Sequence, residues 1–74
     1  MVSKILDKEQ MELLVNIPFE GQDIVDVEYA IREKARNEFD GTIWEYIDRV
    51  SDEPIDFDGC LDIITNEVME IIGI

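Results

Sequence analysis

The side chains in this sequence that could do chemistry are, almost without exception, carboxylates. Nineteen Asp and Glu stand against six Lys and Arg, with no histidine and a single cysteine, Cys60. Carboxylates exchange protons, ligate hard cations or simply carry charge, and their spacing decides which. For proton transfer the pattern argues nothing, because so many acids in so short a chain produce accidental pairs. Calcium ligation is a sharper test: a twelve-residue loop needs acids at its first, third and fifth positions, glycine at the sixth and glutamate at the twelfth. With Gly59 as the sixth residue, Asp56 and Asp58 fit, but Pro54 and Thr65 take the first and twelfth places. With Gly41 as the sixth, those places fall to Arg36 and Ile47. No metal site is expected; Asp52, Glu53, Asp56 and Asp58 read as a solvated acidic turn that attracts cations weakly and supplies helix caps.

Cys60 has no histidine to act as its base, and it falls on an apolar helix flank, so it is expected to be a small core residue. One cysteine without histidine also excludes an internal disulfide and a zinc site of the Cys/His kind. The sequence therefore predicts no catalytic residue and no cofactor. The protein reads as non-enzymatic.

Charge is the feature left to explain. The net charge is −13, well past the magnitude of about 2 to 8 that keeps a small domain in solution. Its distribution is uneven: residues 1–40 hold ten acids and five bases, whereas residues 41–74 hold nine acids and only Arg49. Beyond Arg49 there are seven carboxylates and no cation at all. Such a chain is repelled by nucleic acid and by anionic membrane, both polyanions. It calls for a cationic partner.

The elements that must hold these charges are helical. Asp7 is placed to cap a helix of about ten residues, with Gln10 three positions on to reach back, and Pro18 stops it. Pro18-Phe19-Glu20-Gly21 reads as a turn. Ile24, Val27, Ile31, Ala35 and Phe39 fall on one stripe, and Glu28–Arg32, Glu33–Arg36 and Lys34–Glu38 pair at helical separation; this predicts a helix over Asp23–Phe39. The alternation in the same stretch leaves a short strand near residues 23–29, and with it an α+β fold, as the alternative. Gly41 is suited to close that helix in the left-handed conformation, and Thr42-Ile43-Trp44-Glu45 reads as a capping box opening a helix from Ile43 to about Ser51, with Ile43, Ile47 and Val50 inward. Asp56 or Asp58 caps a last helix whose inner face is Leu61, Ile64, Val68, Ile71 and Ile72, ending at Gly73. The expected architecture is a single all-α domain, residues 1–74, of about four short helices in a compact bundle. A core this small is barely sufficient alone, and the apolar Ile63 and Met69 flanking the last stripe leave a homodimer open.

Two helical readings fail on single residues. An acyl carrier protein needs a serine followed by leucine at the start of its second helix, and neither Ser3 nor Ser51 qualifies. A helix-turn-helix around Gly41 would present Glu45, Asp48 and Asp52 to phosphate, which repels them. No apolar run is long enough for a signal peptide or a membrane span, so the cytoplasm is the expected compartment.

What remains is binding. Glu45, Asp48 and Asp52 line one side of the third helix, and on the fourth Asp62 and Glu70 share a face through Asn66, with Glu67 adjacent. Carboxylates on rigid helices at a spacing of a few ångström imitate a phosphate backbone and suit a basic groove. In size, charge and helical character the chain resembles the small acidic proteins of phages and mobile elements that inhibit restriction, CRISPR or repair enzymes; the resemblance rests on no motif. It implies a DNA-mimic inhibitor occupying the nucleic-acid-binding surface of another protein, with Glu45, Asp48, Asp52, Glu53, Asp56, Asp58, Asp62, Glu67 and Glu70 as contact residues. The alternative is a small adaptor, or an antitoxin-like or immunity-like partner, that docks through an apolar face around Trp44 with the acids as a rim.

Overall fold

The computed structural model describes residues 3–19, 21–50, 52 and 55–73. Four helices follow in order: α1 (Lys8–Val15), α2 (Ile24–Glu38), α3 (Asp40–Arg49) and α4 (Phe57–Ile72). There is no strand among the described residues, so the 23–29 stretch is helical. Length decided this: the apolar stripe continues through Ala35, further than an alternating strand would carry it.

Each helix start is set by a short polar side chain or by its absence. Asp7 accepts from the Gln10 backbone N–H at 2.8 Å while the Gln10 side chain accepts from the Asp7 N–H at 3.1 Å, forming the reciprocal cap expected of that pair. Asp23 caps α2 through the Asp26 N–H, and Asp56 caps α4 through the Gly59 N–H at 2.7 Å. Between α1 and α2 the chain turns with Gln22 N–H donating to the Phe19 carbonyl at 3.2 Å and Gly21 at φ 76°, one residue later than the pattern suggests. Only glycine takes that positive φ without strain.

The junction of α2 and α3 differs from the expectation. Gly41 does not close α2 in the left-handed region; it lies inside α3, which begins at Asp40. Nor does Thr42 cap anything, since the residue before α3 is Phe39 and no side chain caps it. The reason is packing. Phe39 is buried, and its backbone, at φ −123° and ψ 21°, both receives the last turn of α2 and offers its carbonyl to the Ile43 N–H at 3.0 Å. A single core residue thus replaces the predicted turn, and the Thr42 hydroxyl is free to accept from the Gln10 side chain at 3.0 Å.

The core is one cluster to which every helix contributes: Met11 and Leu14; Val27, Ile31 and Ala35; Ile43 and Tyr46; and Cys60, Leu61, Ile64 and Val68. The segment before α1 adds Ile5 and Leu6, both buried. α4 touches all three other helices, most extensively α2. Ile63, Met69 and Ile72 are partly buried against the core, while Ile24 and Ile71, expected inside, keep 53% and 39% of their surface exposed. Thr65, the one polar residue buried among the described residues, donates to the Leu61 carbonyl at 2.7 Å and so carries no unmet hydrogen bond. Among the described residues, no helix is long and apolar enough to cross a membrane.

Candidate functional site

The carboxylates singled out above divide into two groups once the helices are placed. Three are used by the fold. Asp56 is the α4 cap. Asp62 pairs with Arg32, which reaches across from α2 instead of closing the helical pair with Glu28. Glu67 accepts from the Ser3 hydroxyl at 2.7 Å and from the Lys4 backbone N–H at 3.0 Å, fastening the segment that carries Ile5 and Leu6 onto α4. The sequence gives no cation at helical separation from Asp62; proximity of α2 and α4 supplies one.

The other five, Glu45, Asp48, Asp52, Asp58 and Glu70, are exposed and belong to no ion pair among the described residues. Glu53 lies outside the described residues. Asp58, in the first turn of α4, is favoured by the positive end of the helix dipole. Glu70 is not: it stands in the last turn of α4, where no basic residue accompanies it, and an acid there costs a few tenths of a kcal/mol or more. Folding alone does not ask for that charge.

α3 carries Glu45 and Asp48 but ends at Arg49, so Asp52 lies past the helix and does not line its side as expected. Asp40, Trp44 and Asp48 are four residues apart, so they lie along one side of the helix at about 6 Å per step. Both aspartates are exposed, and Trp44 keeps 54% of its surface. The indole is held from below by Phe57, the first residue of α4, with ring centroids 5.2 Å apart and planes tilted by 36°. Of the two aromatics in this helix, Tyr46 completes the core and Trp44 faces out. Asp40 escapes a reading of the sequence, because Asp40-Gly41 looks like punctuation; only the start of α3 at Asp40 puts it in line with Trp44.

On another side of α3, Glu45 and Arg49 line an open cleft of about 230 Å³ with Thr42, Ile5, Asp7 and Gln10. The Gln10–Thr42 hydrogen bond bridges α1 and α3 there. Arg49 lies 5.9 Å from the centre of the Tyr46 ring and forms no ion pair with Glu45 or Asp52. The cleft lining holds one cation, Arg49, and two acids, Asp7 and Glu45. Cys60 is elsewhere and fully buried; burial pushes its thiol above the usual range and the Asp56 carboxylate adds to the effect, which makes the thiolate harder to form. Among the described residues, no three Cys, Asp or Glu side chains converge well enough to hold a metal ion.

Comparison with protein families, with curated proteins and with solved structures finds no match for this chain, so its own geometry must carry any reading of what it does.

Proposed function

We propose that this protein is a non-enzymatic acidic binding protein that occupies a basic, nucleic-acid-binding surface of a partner protein, as DNA-mimic inhibitors of restriction or CRISPR enzymes do. The observation that carries the reading is the set of exposed, unpaired carboxylates on α3 and α4, including one at a helix end where the fold would gain by losing it. The molecule measures 40 × 22 × 20 Å. A duplex 40 Å long carries roughly two dozen phosphates, one per 1.7 Å of axis, and the chain's net −13 is about half of that. The protein can steer toward a basic groove, but charge alone would leave it a weaker occupant than DNA. Contacts of another kind must make up the difference.

That shortfall favours giving Trp44 a part, and it is also what supports the alternative reading, an adaptor docking through the exposed indole. The two differ in their response to salt. With the protein immobilised and a cell lysate passed over it, capture governed by charge falls by orders of magnitude between about 0.1 and 0.5 M salt, and duplex DNA displaces the captured protein. Capture that resists both salt and DNA, yet is lost in Trp44→Ala, would leave the adaptor reading in its place.

A further inference from the structure

We infer that the Asp40–Trp44–Asp48 side of α3 is a receptor for arginine side chains of the basic partner, selecting guanidinium over ammonium. The inference rests on the acidic-binding reading above and adds the chemical identity of what is recognised. Three observations meet there. The indole is the only tryptophan in the chain and is half exposed, although an aromatic of that size would stabilise the fold more if buried. Its face is fixed by Phe57, itself set by the Asp56-capped start of α4, so the ring is a prepared surface instead of a mobile one. One helical turn on either side stands an exposed aspartate without an ion-pair partner among the described residues.

This combination distinguishes the two biological cations. A guanidinium is planar, stacks on an aromatic face and presents N–H donors around its rim, where carboxylates about 6 Å to either side can accept them. An ammonium is a compact, strongly hydrated point charge; it gains from the aspartates but little from a ring it cannot lie flat against. The flat stacking on the indole is then specific to arginine, whereas the carboxylate contribution is shared.

Because Trp44 is the sole tryptophan, its fluorescence reports directly on this site. The test titrates the protein with nona-arginine and with nona-lysine at about 50 mM salt, following indole emission and, in parallel, heat of binding. The expected result is perturbed emission with nona-arginine and an affinity at least about fivefold above that for nona-lysine. In Trp44→Leu, which removes the indole and its ring contact with Phe57, calorimetry should find the preference for arginine reduced to less than about twofold, while both peptides still bind. Asp40→Asn combined with Asp48→Asn should weaken both peptides. Equal affinities in the unaltered protein, or a preference unchanged in Trp44→Leu, would overturn the arginine receptor and leave the acidic-binding reading standing. Failure of both peptides to bind at low salt would overturn the two together.

Discussion

Replacing Gly41 by alanine should make this domain more stable. Gly41 is the second residue of α3, its φ is not positive, and a methyl group built on it meets no atom within 4 Å. Packing therefore contributes nothing and the whole effect is conformational. In a helix interior alanine is favoured over glycine by about 1 kcal/mol; in a first turn, where the backbone is only partly constrained, about half of that is a fair expectation. For a domain of this size about 0.5 kcal/mol raises Tm by about 2 to 4 °C. The matched control is Gly21→Ala. That site also has nothing within 4 Å, but its φ is 76°, so alanine there should lower stability by about 1 kcal/mol or somewhat more. Thermal unfolding of the two variants, followed by circular dichroism, reads opposite signs at two sites that differ only in backbone conformation. A fall in Tm for Gly41→Ala would mean that Gly41 closes α2 in the left-handed region after all, and that α3 begins later than Asp40.

Two further consequences can be measured. Glu67→Gln keeps the size of the side chain but removes the charge that holds both the Ser3 hydroxyl and the Lys4 N–H; it should cost about 1 kcal/mol and speed hydrogen exchange at the Lys4 amide, and unchanged exchange would show that the N-terminal segment is held by Ile5 and Leu6 alone. The raised pKa of Cys60 makes the neutral thiol the folded form's preference. Its contribution is complete below the unfolded thiol's pKa of about 8.5 and is lost as pH rises through the higher folded value. The urea midpoint should therefore drop more between pH 7 and pH 10 in the unaltered protein than in Cys60→Ala, and parallel drops in the two would refute the assignment.

The helical class was legible because apolar spacing is a local signal repeated many times: α2 lies between Asp23 and Phe39, the bounds the stripe predicts, and α4 between Asp56 and Gly73. Caps that depend on two residues three apart, such as Asp7 with Gln10, were equally readable. The same local grammar misled at Thr42 and Glu45, where a good capping sequence lost to burial of Phe39. Propensity of this kind is worth about 1 kcal/mol, less than burying a phenylalanine.

The candidate surface divides along the same line. Sequence alone determined that the chain is acidic and that residues beyond Arg49 carry no cation, since these follow from composition. Only the packing of helices against each other decided which aromatic was buried, that Arg32 would neutralise Asp62, that Glu67 would be consumed by the N-terminal segment, and that Asp40 would join Trp44 and Asp48. Net charge is a sum over the chain and survives any fold. Which charges remain free is a matter of who stands beside whom, and the core, not the carboxylates, settles that.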